Sequence, residues 1–176
     1  MMRQILKYTT TVLLFFLCAI TQVSLLPYVS IMGVAPNLLF VVFFATLFFQ
    51  KKQDIVFSFF VVTLAGFLLD MITPLPFGVS IVMLLMMYGM YRWLTRFLRE
   101  ADANIMLWYY LATFLGLFFA YDILLYLASR LVGSPVSLGA STLIALAYSV
   151  VLAAAVFFVC QQLFGKAAEN NQLKLL

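Results

Sequence analysis

The chain has 176 residues, 66% hydrophobic and 9% charged, with ten Lys/Arg against six Asp/Glu for a net charge of +4; its mean hydropathy is +1.15. Soluble domains run at about 45–50% apolar and about 25% charged, and a domain of this size keeps too much surface to hide such an excess from water, so the soluble and disordered classes are excluded. Histidine is absent and cysteine occurs only as Cys18 and Cys160, both within apolar runs, which removes His-based triads, His-ligated metals, Cys-only zinc sites and a disulfide framework.

A bilayer core of about 30 Å takes about 20 apolar residues as helix. In chain order the candidate spans are residues 5–26, 36–49, 55–72, 77–94, 105–128 and 139–164. The first has a basic start and a long apolar run. No A-x-A site follows it and five more spans do, so it is expected to remain as an anchor and not to be cleaved as a signal peptide. Pro27 closes it, because proline interrupts helical bonding. Pro36 opens the second span from a first-turn position, where its missing N–H is no loss. The second and third are joined by Gln50-Lys51-Lys52-Gln53-Asp54 and are expected to form a tight hairpin, with local thinning of the bilayer to suit their length. Thr73-Pro74-Leu75-Pro76 cannot continue a helix and forms the next turn. Gly133-Ser134-Pro135 lies in the connection before the sixth span.

Arg3, Lys7, Lys51, Lys52, Arg92, Arg96, Arg99, Lys166 and Lys174 then share one side, and Arg130 alone lies on the other. The positive-inside rule makes the first side cytoplasmic, with both termini inside. Tyr91, Trp93, Trp108, Tyr109 and Tyr110 cluster at the proposed inner interface, where amphipathic rings settle. The expected fold is therefore all-α: a polytopic membrane protein of six transmembrane helices, with a single membrane domain over residues 1–165 and a short cytoplasmic tail over 166–176.

Polar groups within such a chain are the informative ones. Asp70 ends the third span on the outer side, where a carboxylate opposes the helix macrodipole. Its compensation comes from backbone N–H groups at the start of the fourth helix or from Arg130. It reads either as a contact site or ligand group, or as a turn-capping carboxylate. Asp122 lies about two turns inside the outer end of the fifth span. Leaving it ionised in lipid costs about 2–3 kcal/mol near mid-depth, so it faces the bundle, water or a partner. Arg92, Arg96 and Arg99 share one helix face and read either as a docking patch for a cytoplasmic protein or anionic lipid, or as plain topology determinants. Small residues repeat every four positions at Ala112, Gly116 and Ala120, and at Ser141, Ala145, Ser149 and Ala153. Such ladders let helices approach closely, within the chain or with a partner's helix. Met83, Met86, Met87 and Met90 read as soft apolar filling. No nucleophile–base pair, metal-ligand spacing or Gly-rich phosphate loop is present, so no enzymatic activity, cofactor or nucleic-acid partner is expected.

Pro36-Asn37-Leu38-Leu39, then Gly66-Phe67-Leu68-Leu69-Asp70, Pro76-Phe77-Gly78, Tyr88-Gly89 and the basic cluster from Arg92 occur in an order and spacing that resemble MreD, the rod-shape-determining membrane protein family of bacteria. Asn37 stands where an aspartate is frequent in that family. The resemblance implies a non-enzymatic subunit of the machinery that builds side-wall peptidoglycan in the bacterial inner membrane. It implies as partners a bitopic MreC-like protein, a cytoplasmic MreB-like filament, and RodA with its transpeptidase. The family is also similar in architecture to the substrate-binding S-components of energy-coupling-factor vitamin transporters, which is the alternative reading. That similarity implies an outward pocket near Asp70 and the turn to Gly78. The implied partner or pocket contacts are Asp70, Pro76, Phe77, Gly78, Asp122 and Arg130. Arg92, Arg96 and Arg99 are the cytoplasmic docking residues.

Overall fold

The computed structural model describes residues 2–30, 34–50, 54–73, 76–97, 106–132 and 140–172. Lys51, Lys52, Pro74, Leu75, Arg99, Gly133, Ser134, Pro135 and Lys174 lie outside them, as do the side chains of Arg3, Arg96, Ser141 and Lys166. Six α-helices follow in order: α1 Met2–Ser24, α2 Leu38–Phe48, α3 Ile55–Ile72, α4 Val79–Phe97, α5 Met106–Val132 and α6 Ala140–Gln172. A 3₁₀ turn, Leu26–Val29, follows α1 and carries Pro27 in its first turn. Four helices contain stretches long and apolar enough to cross a membrane: Ile5–Ser24, Ile55–Ile72, Leu107–Leu131 and Thr142–Gln162. The other apolar helices are the 11-residue α2 and α4, whose described side chains run from Val79 to Thr95.

The 11-residue α2 is about 16 Å long, roughly half a bilayer core. It lies at the centre of the bundle, with Leu39 through Ala45 and Leu47 all buried. It packs on α1, α3 and α6. Its rings reach the other two helices: Phe40 meets Phe114, Phe118 and Tyr121 of α5, and Phe44 meets Tyr91 of α4. Because α2 is enclosed by protein, the bilayer thinning expected for a short span is not required by its length. The outer helices run in sequence around it, α1 against α3, α3 against α4, α4 against α5 and α5 against α6.

Helix direction follows from these contacts. Tyr8 of α1 packs on Phe57 and Phe60 near the start of α3, so α1 and α3 run parallel. Phe40 reaches Tyr121 while Phe48 reaches Tyr110, so α2 and α5 are antiparallel. Asn37 meets Ser149 and Phe49 meets Phe157, so α2 and α6 are parallel. Successive helices therefore alternate, with Lys7, Tyr91, Tyr110 and Phe157 toward one end and Asp70, Gly78 and Arg130 toward the other. Lys7 caps the Phe57 ring with its ammonium 3.5 Å from the centroid.

Local chemistry explains the boundaries. Thr9, Thr10, Thr11 and Thr21 each donate their hydroxyl to the carbonyl four residues earlier, which satisfies these groups within an apolar helix. Asp54 caps α3, its carboxylate accepting from the Phe57 N–H at 3.4 Å. Ser58 donates to Gln50 Oε1 at 2.9 Å and ties that cap to the end of α2. α3 and α4 form the most extensive helix pair. Their backbones approach at Gly66, where a Cβ would lie 2.6 Å from Ile81 Cα. α5 runs to Val132, beyond the expected end at residue 128, and α6 continues through Gln172 into the expected tail.

The interfacial aromatics divide. Trp93 and Trp108 are exposed, whereas Tyr91 and Tyr110 turn into the core. The methionines divide likewise: Met83 and Met87 are buried, and Met86 and Met90 are exposed. Of the small-residue ladders, Ser149 and Ala153 of α6 are buried, but Ala112 and Gly116 of α5 are exposed, with open space around Gly116. Gly66→Ala is expected to destabilise the protein by about 1–3 kcal/mol through overpacking against the α4 backbone. Gly116→Ala, in open space within α5, is expected to be neutral or to stabilise by up to about 1 kcal/mol. Thermal unfolding of both variants in mild detergent checks the contrast.

Candidate functional site

Polar side chains fix the starts of α4 and α2. Asp70, 6% exposed, accepts the Gly78 N–H on Oδ2 at 2.7 Å and the Ser80 N–H on Oδ1 at 2.8 Å. These are orphan donors at the start of α4, and a carboxylate there also meets the positive end of the helix dipole. Of the two compensations expected for Asp70, the backbone amides supply it. Gly78 makes the turn possible by adopting φ +99°, a conformation that L side chains rarely take. Thr73 closes α3, its N–H and its hydroxyl both donating to the Leu69 carbonyl, at 2.8 and 2.9 Å. Gly66 and Asp70 are four residues apart and share the face of α3 turned to α4.

The start of α2 is fixed in a similar way. Asn37 Oδ1 accepts the Phe40 N–H at 3.1 Å, and Gln22 Oε1 of α1 accepts the Leu39 N–H at 2.9 Å. The Asn37 N–H donates to Ser149 Oγ of α6 at 3.2 Å. Position 37 therefore acts as an N-cap, a role that an amide oxygen fills as well as a carboxylate does. Ser149 lies nine residues inside α6, so α2 begins about 14 Å below the first residue of that helix.

The remaining expected contacts are dispersed. Pro76 and Phe77 are exposed, and Phe77 sets its ring edge-on to Phe67 at 5.5 Å. Arg130 donates from Nε to the Tyr126 hydroxyl at 3.0 Å and lies over the same ring. Asp122 is half-buried, and its Oδ2 meets no hydrogen-bond partner among the described residues. At the other end Arg92 lies 5.9 Å from the Tyr88 ring centroid. Arg96 and Arg99 cannot be placed beside it, because their side chains lie outside the described residues.

Gln22, Ser80 and Tyr121 were not singled out from the sequence. Gln22 could have been, as a lone amide near the end of an apolar run. Ser80 and Tyr121 carry no comparable signal. Both are buried and their hydroxyls lie near each other, but among the described residues neither makes a well-formed hydrogen bond. An apolar groove lies on α6, lined by Ile144, Ala147, Tyr148 and Val151, with Tyr148 donating to the Val29 carbonyl at 3.3 Å. It is distinct from the Asp70 turn, where the resemblance implies a pocket. Among the described residues no group of three or more Cys, Asp or Glu could hold a metal ion.

No protein-family profile, curated protein or solved structure matches the chain. The arrangement itself supports packing and contact chemistry: its polar side chains hold helix starts in place. Asp70→Ala would leave two amides without their acceptor, with an expected loss of about 1–3 kcal/mol. Arg130→Ala is expected to cost no more than about 0.5 kcal/mol. Unfolding midpoints of the two variants in the same detergent test this ranking.

Proposed function

We propose that the chain is a non-enzymatic integral membrane subunit of the bacterial rod-shape machinery, related to MreD, and that it acts through contacts with an MreC-like bitopic protein and an MreB-like filament. In this reading all six helices are embedded in the inner membrane. The Asp70 end faces outward, and both termini face the cytoplasm. One observation carries the proposal. Several of the ordered residues of the resemblance fall where α2 and α4 are fixed: Pro36 and Asn37 at the start of α2, and Gly66, Asp70 and Gly78 at the α3–α4 junction. A set of Pro, Gly and Asp positions that builds one framework is more specific than the same residues scattered through apolar helices.

The outer turn, with Phe77 and Pro76 exposed, and the outer half of α5 then serve the bitopic partner. Arg92, Arg96 and Arg99 serve the filament or anionic headgroups. RodA and its transpeptidase belong to the same assembly. Affinity purification of the full chain from its own host in mild detergent is expected to recover both the MreC-like and the MreB-like protein. Recovery of neither, with the chain intact, would refute the assignment. Genes for a transporter ATPase beside this one, together with tight vitamin binding, would point instead to an energy-coupling-factor S-component.

A further inference from the structure

Three buried oxygens at the Asp70 end of the bundle meet no hydrogen-bond partner among the described residues: Ser80 Oγ, the Tyr121 hydroxyl and Asp122 Oδ2. They belong to one place. Tyr121 of α5 is 2% exposed and Ser80 of α4 is fully buried. The Tyr121 hydroxyl lies near that of Ser80 without a well-formed hydrogen bond, and within electrostatic range of both Asp122 and Asp70. Asp70 of α3, also buried, turns one carboxylate oxygen to the Ser80 N–H at 2.8 Å. Three helices thus bring two carboxylates and two hydroxyls together behind the α3–α4 turn.

The cluster is incomplete in two respects. A buried hydroxyl without a partner is costly, and native proteins complete such groups with a water or an ion. Its charge is also uncompensated. Among the described residues neither carboxylate forms an ion pair, and Arg130 is exposed and donates to Tyr126. The Gly78 and Ser80 amides serve Asp70, but nothing donates to Asp122 Oδ2. A water satisfies the hydroxyls and leaves the negative charge in place, whereas a cation answers both needs. The unpartnered atoms are all oxygen, the ligand type of hard cations. No third acid joins the two among the described residues, and Asp70 is already held by two amides, so a singly charged ion suits the cluster better than a divalent one.

We propose that Asp122, Tyr121, Ser80 and Asp70 form an internal site for a small monovalent metal cation of the sodium class, bound between α3, α4 and α5. Asp122 Oδ2 and the Tyr121 and Ser80 hydroxyl oxygens are its ligands. Asp70 is a positioning residue: it adds negative charge to the site and, through the Ser80 N–H, sets where Ser80 stands. The hydroxyls turn their lone pairs to the ion. The ion ties α5 to the α3–α4 turn, so the stability of this end of the bundle depends on sodium. None of this requires the partners named above.

The test is thermal unfolding of the full chain in mild detergent, in sodium chloride or choline chloride at equal ionic strength. Sodium is expected to raise the unfolding midpoint by about 2–4 °C, with a response that saturates as its concentration rises. Asp122→Asn removes the charge and keeps the shape. It is expected to raise the midpoint in choline chloride and to abolish the sodium response. Tyr121→Phe keeps the ring that packs on Phe40 and is expected to weaken the sodium response. Equal midpoints in sodium and choline for the unsubstituted chain overturn the proposal and leave a water or a proton to complete the cluster. An undiminished sodium response in Asp122→Asn, or in Tyr121→Phe should the first variant not fold, overturns it as well, because the ion then binds elsewhere. No host protein enters the assay, so its outcome is separate from that of the co-purification.

Discussion

Hydrocarbon offers no hydrogen-bond partner to a backbone amide, so a helix that begins inside a membrane domain must find its caps within the protein. Two helices of this chain find such caps on neighbouring helices. α2 starts beside the middle of α6, at Ser149, and α4 starts in the buried setting of Asp70 and Ser80. Their orphan N–H groups are met by side chains from neighbouring helices. Gln22 reaches from α1 and Asp70 from α3, while Asn37 caps its own helix and leans on Ser149 of α6. Most of the buried hydrogen-bonded polar groups at this end serve that need. The close α3–α4 approach at Gly66 and the positive φ of Gly78 follow from it, since Asp70 can reach two amides only when the turn is tight and the helices nearly touch.

The opposite end is organised by rings. Phe44, Phe48, Tyr110 and Phe157 meet edge-on or tilted, with centroids about 5–6.5 Å apart, in the geometries favoured by the aromatic quadrupole. In lipid, helix association gains little from the hydrophobic effect and depends on close packing and interhelical hydrogen bonds. The bundle uses the first at one end and the second at the other. α2 joins them, with Asn37 in the polar layer and Phe48 among the rings.

Much of this was legible in the residue order. The bounds expected for the third span, 55–72, are those of α3, and the chain is all-helical as expected, with six helices among the described residues. The proline and aspartate punctuation is also where the helices are capped. What remained hidden was which faces turn inward. Hydropathy cannot report this in such a chain, because a leucine facing lipid and a leucine facing another helix have the same transfer preference. The small-residue ladders therefore looked alike, yet Ser149 and Ala153 pack inside while Ala112 and Gly116 stay exposed. For the same reason Tyr91 and Trp93, two residues apart, went to opposite environments. At the site, the sequence marked Asp70 and the turn but not the division of labour between the two aspartates. That division depends on which amides lie within reach, and reach is a property of the packed helices.

The contact between Asn37 and Ser149 spans 112 residues of chain, and this bears on biosynthesis. A ribosome delivers α2 long before α6. In the interval the start of α2 lacks its serine partner. α6 thus completes the setting of α2 only once it has itself been made. A chain that stops short of Ser149 lacks the hydroxyl to which the Asn37 N–H donates.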